Sequence, residues 1–252
     1  MRFIATADTD IGQKQINQDS VLLKHASSSR GEILMLVICD GLGGLKMGEV
    51  ASSTVVHAFS DWFDYELSFE LENLNMEALA LKWEALLQEL NQKILRFGLD
   101  NQLTLGTTFS GILFIEDRYF IVHVGDTRIY YINEMIEQLT TDQTYVAREM
   151  ARGNMTPEQA RVDKRRNTLL QCVGANQRLQ PQILHGQTRP GTYLVCSDGF
   201  RHEVSGQEMV EYFHPRMLGD KETMHNHAKT LIHLAKQRNE RDNISVAVAR
   251  ID

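Results

Sequence analysis

The stretch Ile33-Leu34-Met35-Leu36-Val37-Ile38-Cys39 runs directly into Asp40-Gly41-Leu42-Gly43-Gly44. An uninterrupted apolar run that ends at an acid and a glycine-rich turn predicts a strand buried on both faces. Asp40 would then lie at the end of that strand, beside a backbone that can approach a ligand closely because its glycines carry no side chains. Taken alone, the same segment is equally typical of an ordinary glycine-rich turn.

Three more aspartates stand at predicted turns far along the chain. They are Asp19 in Asn17-Gln18-Asp19, Asp198 in Ser197-Asp198-Gly199, and Asp242 in Asp242-Asn243-Ile244-Ser245. Each is a weak signal by itself, because Asp-Gly is a common turn pair and an aspartate can order a loop through an Asx turn. With Asp40 they predict one shared carboxylate site, since a divalent cation makes the mutual repulsion of clustered acids tolerable.

Composition sets broad limits on the protein. A chain of 252 residues with 42% apolar content can bury a large core, and we expect a single domain over 1–252. The net charge of -7 gives no general attraction to nucleic acid or to an anionic membrane. No apolar run approaches the roughly 20 residues that span a bilayer, and the N-terminus lacks the apolar segment of a signal peptide. We expect a cytoplasmic protein that binds neither nucleic acid nor membrane.

The three cysteines, Cys39, Cys172 and Cys196, have no paired spacing of the kind that binds metals. Cys39 and Cys196 lie beside two of the aspartates. A small buried apolar residue explains them better than a nucleophile, because no activating base is evident nearby in the sequence. We expect reduced, structural thiols.

The periodicity of apolar residues predicts a mixture of helices and strands. Helices are predicted over 47–62 and 76–97, the second ending at Gly98, and both should pack on a sheet. The segments 108–115, 119–124 and 128–133 are typical of an antiparallel meander. Later elements are predicted as strands at 168–173, 181–185, 192–196 and 243–250, and as helices near 206–213 and 221–237.

Residues 142–166 are polar and charged and predict a surface flap. A helix start is indicated within it at Thr156-Pro157-Glu158-Gln159, which combines an N-cap, a proline at the first helical position and a capping-box glutamine. Arg165 and Arg166 either receive an anionic substrate or are simply solvated.

In their order along the chain, the aspartates resemble those of the metal-dependent type 2C serine/threonine protein phosphatases. Gly106-Thr107-Thr108 and Gly125-Asp126-Thr127-Arg128-Ile129-Tyr130 look like the family's Gly-Thr-Thr and Gly-Asp-Ser-Arg segments, and 142–166 falls where members carry a variable flap. The match covers essentially the whole chain, and the motifs together are highly specific. The resemblance implies an α+β fold, namely a four-layer α-β-β-α sandwich of two antiparallel sheets flanked by helices.

The resemblance also implies a site for two manganese or magnesium ions at one end of the sandwich, with a third ion bound weakly. Oxygen ligands suit such hard cations whatever the family. Two of these ions can lower the pKa of a bridging water that attacks phosphorus directly, so that no phosphoenzyme is needed. By resemblance, Asp40 bridges both ions, Asp198 and Asp242 bind the first, Asp19 and the carbonyl of Gly41 bind the second, and Asp126 approaches the third.

Three positions depart from the family's pattern. Lys14 stands where most members place a phosphate-binding arginine; it would hold phosphate as a point charge rather than with a fork, or it is an ordinary solvated lysine. Leu42 stands where animal members carry a histidine, so the leaving group must take its proton from elsewhere. His202 stands where many members have another aspartate near the third metal, which argues against occupancy of that position.

We therefore expect an enzyme that hydrolyses phosphoserine and phosphothreonine in proteins, with Asp40 and Lys14 in catalysis. Its partners would be phosphorylated proteins, including a serine/threonine kinase or the targets of that kinase, and we expect a monomer of the stand-alone bacterial type. One alternative is a catalytically weak regulator with the same fold that binds phosphoproteins. Another is a hydrolase of a small phosphate ester, which would not need an open groove for a protein.

Overall fold

The apolar run 33–39 forms the middle of the strand Gly31–Asp40 in the computed structural model, which describes residues 1–42 and 47–252. Alternate side chains of this strand enter two different cores: Met35 and Val37 pack on one side, and Leu34 and Leu36 on the other. The prediction of a strand buried on both faces is confirmed. Gly43 and Gly44 of the same motif lie outside the described residues.

In the part of the chain that the structure describes, ten strands form two antiparallel sheets. One sheet has the order β1-β10-β9-β6-β7 and the other the order β2-β3-β4-β5-β8. In chain order the strands are β1 (Phe3–Asp10), β2 (Asp19–Ser28), β3 (Gly31–Asp40), β4 (Phe109–Ile115), β5 (Arg118–Val124), β6 (Arg128–Ile132), β7 (Ile136–Gln138), β8 (Gln182–Gln187), β9 (Gly191–Cys196) and β10 (Ile244–Ile251).

Helices cover the outer faces of the sheets and form the segment between β7 and β8. A π-helical turn at Trp62–Glu66 and a 3-10 turn at Pro215–Met217 accompany them. The α-helices are α1 (Gly48–Asp61), α2 (Leu67–Glu70), α3 (Met76–Asn101), α4 (Tyr145–Ala151), α5 (Pro157–Val162), α6 (Asp198–Glu203), α7 (Gly206–Phe213) and α8 (Lys221–Gln237).

Three apolar clusters show that the layers are stacked as helix, sheet, sheet, helix. Trp83 of α3 and Phe59 of α1 pack on one outer face, and Leu231 of α8 packs on the other. Between the two sheets lie side chains such as Phe114 and Tyr193, whose ring centroids are 4.9 Å apart. The predicted α-β-β-α sandwich of two antiparallel sheets is therefore confirmed.

Three predictions from the sequence are wrong: one helix end, the pairing of one strand and the existence of another. Gly98 does not end α3, which continues to Asn101 and stops at Gln102, a residue in the left-handed conformation with φ 54°. The segment 128–133 does not complete a meander, because β6 pairs with β9 and β7 of the opposite sheet. The segment 168–173 forms no strand and contributes only isolated bridges at Leu169 and Val173.

The start of α5 is confirmed in detail. Thr156 accepts a hydrogen bond from the backbone N–H of Gln159, and the Gln159 side chain accepts one from the backbone N–H of Thr156. The helix lies in 142–166 together with α4. Across the part of the chain that the structure describes, no helix combines the length and the apolar character needed to cross a membrane.

Trp83 is the largest fully buried side chain in the cluster under α1 and α3, so its replacement tests the fold. It is fully buried and meets the rings of Phe59 and Phe120 edge-on at 4.9 and 4.8 Å. We expect Trp83→Ala to lower the free energy of unfolding by about 3–5 kcal/mol, because it leaves a large cavity. Leu81→Ala on the exposed face of α3 should change it by less than about 0.5 kcal/mol. Equal losses in urea titrations followed by circular dichroism would contradict this assignment of the core.

Candidate active site

Strand register places two of the predicted acids opposite each other. Asp19 is the first residue of β2, Asp40 is the last residue of β3, and the two are direct partners in the antiparallel ladder. Side chains of directly opposed residues point to the same face of a sheet. The β2–β3 hairpin therefore brings together two acids that are separated by about twenty residues in the sequence.

The backbone of Asp40 is held by the Gly-Thr-Thr segment. The hydroxyl of Thr108 accepts a hydrogen bond from the Asp40 N–H at 2.9 Å, and the hydroxyl of Thr107 donates to the Asp40 carbonyl at 2.9 Å. The Thr108 N–H donates to the same carbonyl at 2.9 Å. This motif thus has a positional role, because it fixes the end of β3 from which the Asp40 side chain projects.

The opposite sheet supplies Asp198 and Asp242. Asp198 follows β9 at the start of α6, and Asp242 lies in the loop just before β10. Asn243 anchors that loop, because its amide donates to the carbonyls of Ile11 and Ile16 at 2.9 and 3.2 Å while its oxygen accepts from the Gln18 N–H at 2.9 Å. The two sheets thus contribute acids at the same end of the sandwich.

A cavity of about 580 Å³ opens between these elements. Asp40, Asp126, Asp198 and Asp242 line it, and so do Lys14 and Leu42. The Asp19 side chain is buried behind them, where Oδ2 accepts a hydrogen bond from the Ser245 hydroxyl at 2.6 Å. The structure therefore brings together all five aspartates that the sequence singled out.

Crowding of these acids shifts their protonation toward the neutral form. Burial, reinforced by the charges of Asp198 and Asp242, raises the pKa of Asp19 to about 7. Burial and then the charge of Asp19 raise the pKa of Asp40 well above its ordinary value. Burial and the charge of Asp198 raise the pKa of Asp126 to about 7. The group would hold its full negative charge at neutral pH only with a compensating cation.

Lys14 supplies a positive charge inside this cavity. Its Nζ lies 2.9 Å from Oδ1 of Asp242. Burial alone would lower the pKa of Lys14, but the bond to Asp242 and the charges of Asp40 and Asp198 raise it, so the ammonium stays protonated. Lys14 is thus placed among the acids rather than in bulk solvent, and its proposed contact with phosphate stays a prediction.

Gly41 and Leu42 follow Asp40 into the cavity wall. A Cβ added to Gly41 would lie 2.5 Å from the Gly48 carbonyl oxygen and 2.6 Å from that of Gln18, so a larger residue would displace backbone. The glycine is therefore required by packing. Its carbonyl as a metal ligand stays a prediction. Leu42 presents an apolar side chain to the cavity, and it cannot supply a proton to a leaving group.

Several carboxylate oxygens of the site are suited to binding metal ions. Within residues 1–42 and 47–252, no three His, Cys, Asp or Glu side chains are arranged to hold an ion as they stand. Lys14 holds one oxygen of Asp242, yet Oδ1 of Asp19 is buried with no hydrogen-bond partner among the described residues. A buried carboxylate oxygen without a donor is unfavourable unless a cation meets it. Donor type, burial and charge therefore fit a divalent site at Asp19, Asp40, Asp198 and Asp242, which stays a prediction.

Asp126 does not fit the role of a metal ligand in the same way. Nη2 of Arg201 donates to its carbonyl oxygen at 3.2 Å and lies 3.4 Å from its Oδ2. A guanidinium therefore already lies beside this carboxylate, and its charge partly offsets the rise in the pKa of Asp126 that burial causes. This arrangement gives no support to a third ion at Asp126.

His202 forms part of a chain that supports two of the acids. Its Nε2 lies 3.8 Å from Oδ2 of Asp198, and its Nδ1 lies 3.4 Å from Oε2 of Glu240. Glu240 in turn accepts the backbone N–H groups of Arg241 and Asp242 at 2.6 and 2.8 Å. The hydrogen bond with Glu240 raises the pKa of His202. The sequence does not single out Glu240, whose only signal is its position two residues before Asp242.

The cysteines behave as predicted. All three are free and buried, and burial raises the pKa of Cys172 to about 11 and that of Cys196 to about 12. Burial also raises the pKa of Cys39 well above its ordinary value. Thiols in this state are protonated at neutral pH and are poor nucleophiles.

Comparisons with known proteins agree with this geometry. The family model described as protein phosphatase 2C matches residues 8–236. The protein phosphatase PhpP of Streptococcus pneumoniae is 30% identical over 249 residues, which cover 97% of this chain and 96% of that protein. The chain belongs to the protein phosphatase 2C family.

Solved structures are similar over the same length. The serine/threonine phosphatase Stp1 from Staphylococcus aureus superposes with a TM-score of 0.84 at 28% identity, covering 100% of this chain and 96% of that one. The catalytic domain of the serine/threonine protein phosphatase PstP has a TM-score of 0.78 at 28% identity, and 99% of each chain is covered. That PstP structure is described as a complex with 2 manganese ions.

Asp19→Asn should stabilise the metal-free protein at neutral pH. The folded-state pKa of Asp19 is raised to about 7 from an ordinary 3.8, so the wild-type carboxyl destabilises the fold above pH 7 and ceases to do so as the pH falls toward 4. In chelator at pH 8 the gain should be on the order of 2–4 kcal/mol, since each pKa unit corresponds to about 1.4 kcal/mol. It should shrink steadily between pH 7 and pH 4 in urea titrations. A gain independent of pH would refute this view of the carboxylate cluster.

Proposed function

We propose that this protein removes phosphate from phosphoserine and phosphothreonine in other proteins, in a reaction that depends on two manganese or magnesium ions. The single observation that carries the proposal is the convergence of Asp19, Asp40, Asp198 and Asp242 from both sheets on one end of the sandwich. The order of these acids and the family to which the chain belongs point the same way.

The chain's own residues have distinct parts in this proposal. Asp40 and Asp19 from one sheet, and Asp198 and Asp242 from the other, would hold the ions. Divalent cations bound there would supply positive charge to the phosphoryl oxygens and lower the pKa of a water for attack at phosphorus. Lys14 would leave Asp242 to pair with a phosphate oxygen. The buried, protonated thiols leave no cysteine to serve as the nucleophile, which supports direct attack by water.

A protein substrate is supported by a second cleft next to the first. It has a volume of about 590 Å³ and shares Asp126 and Asn167 with the cavity at the acids. Arg161 and Arg166 from the side of α5 contribute positive charge to its wall. Two adjoining clefts suit an extended chain on either side of a phosphorylated residue, whereas a small phosphate ester needs only the first.

The basic residues of 142–166 do not all face that cleft. Arg165 is occupied by Asp163, with 2.8 Å between Nη2 and Oδ2, and it donates to the Tyr145 hydroxyl at 2.8 Å. Arg166 lines the second cleft. Of the two arginines that the sequence offered for an anionic substrate, we assign only Arg166 to that task.

The biological setting follows from the substrate class. A phosphatase of this kind would reverse the action of a serine/threonine kinase, either on the kinase's targets or on the kinase itself. We propose that it works as a monomer in the cytoplasm.

Turnover of a phosphothreonine peptide with manganese tests the function directly. We expect Asp40→Asn and Asp198→Asn to reduce kcat by more than the roughly 10–100-fold loss typical of removing a residue that only orients a metal ligand. Asp100→Asn, on the exposed end of α3, is the matched control and should retain full activity. Chelator should abolish wild-type turnover.

Two experimental outcomes would indicate a different function. Peptide binding without metal-dependent turnover would identify the catalytically weak regulator instead. A strong preference for one small phosphate ester over phosphopeptides would show that the substrate class is wrong.

The proposed contact between Lys14 and phosphate can be tested by measuring KM and kcat separately. Lys14→Met should raise KM for a phosphopeptide by about tenfold with a smaller effect on kcat, since hydrogen bonds to charged groups are worth about 1.5–3 kcal/mol. Lys14→Arg should lower KM, because a guanidinium can hold phosphate with two parallel bonds. Unchanged kinetics in both variants would remove Lys14 from the mechanism.

A further inference from the structure

Arg201 is a buried cation beside the acid cluster that the sequence did not single out. It lies three residues after Asp198 in α6, and only 12% of its side chain is exposed. Its Nη2 donates to the Asp126 carbonyl at 3.2 Å and lies 3.4 Å from Oδ2 of the same residue. Arg201 therefore holds Asp126 through both the backbone and the carboxylate.

A second, partly buried ion pair lies beside Arg201. Arg128 meets Asp142 with two parallel bonds, 2.8 Å from Nε and 2.7 Å from Nη2. Asp142 is also 4.0 Å from Nη2 of Arg201. Two arginines thus balance two aspartates in a compact group, and the Arg201 guanidinium lies between both carboxylates.

This arrangement conflicts with a metal ion at Asp126. A divalent cation there would lie within a few ångströms of a permanently charged guanidinium, and like charges at that separation repel each other. The next residue, His202, offers an imidazole engaged with Glu240 instead of a further carboxylate. The chain itself therefore already supplies a cation at Asp126.

We propose that the Arg201 guanidinium is a resident cation that takes the place of a third metal ion at Asp126. The centre would then contain two exchangeable divalent ions and one fixed organic charge. That charge would be present at any metal concentration, and it would also tie the beginning of the segment 142–166 to the acid cluster through Asp142. The inference rests on the proposed two-metal function, but its central contact can be tested without metal.

The first test is the number of manganese ions bound per chain, measured by equilibrium dialysis at millimolar manganese. Asp126→Asn should bind the same number as wild type, because Asp126 holds Arg201 rather than an ion. Loss of one ion in Asp126→Asn would overturn the proposal. Asp40→Asn is the comparison that reports on the proposed function, since it should lose manganese whether or not a third ion exists.

The second test is a double-mutant cycle of thermal stability in chelator. Arg201→Gln should lower the melting temperature in the wild-type background and much less in the Asp126→Asn background, because the pair acts as a unit. Additive effects would overturn the proposal. The exposed pair Arg189 and Glu137, at 2.8 Å, is the matched control and should show little coupling.

The outcomes separate the two proposals. If wild type binds no manganese, the proposed metal-dependent function fails, and the cycle in chelator still decides whether Arg201 neutralises Asp126. Arg201→Lys is a control for loss of folding in Arg201→Gln, because it keeps the positive charge. It should retain most of the coupling with Asp126 that Arg201→Gln loses. If it retains none, the role of Arg201 does not depend on its charge.

Discussion

Electrostatic repulsion among carboxylates that the fold forces together is the constraint on which the rest of this structure depends. Asp19 and Asp40 are opposed in one ladder, and Asp198 and Asp242 approach them from the other sheet. Bringing such groups out of water is unfavourable for the charged forms. Positive charge must therefore enter the same space, and the chain itself supplies some of it through Lys14 and Arg201.

Hydrogen bonds to the backbone hold the segments that carry these acids in place and make their crowding possible. Thr107 and Thr108 fix the end of β3 by hydrogen bonds to the backbone of Asp40, while Asn243 fastens the loop before β10 to residues 11–18. These contacts use backbone groups, so they are insensitive to the protonation of the acids. The strands β3, β9 and β10 are buried on both faces, and the energy of their packing offsets the unfavourable charge at their ends.

The sequence predicted most of the fold and the acids of the site, for identifiable reasons. An unbroken apolar run such as 33–39 has few interpretations, and the aspartates fall at strand ends where chain direction changes. Its failures concern both elements and partners: β1 and β2 were not predicted, and the segment 168–173 forms no strand. Periodicity could not show that β6 crosses to the opposite sheet after Gly125, which has φ 109°. It also could not assign Arg201 or Glu240, because Arg201 contacts Asp126, 75 positions away, and Glu240 contacts His202, 38 positions away.

The origin of the acids in separate sheets has a mechanical consequence. Asp19 and Asp40 move with one layer of the sandwich, whereas Asp198 and Asp242 move with the other. A ligand that binds both pairs at once would link the two sheets at this end of the sandwich and would oppose movement of one sheet relative to the other. The relative position of the two sheets and the affinity for that ligand are then thermodynamically linked. Substitutions in the apolar core between the sheets would therefore change the affinity for the ligand, although the substituted residues do not contact it.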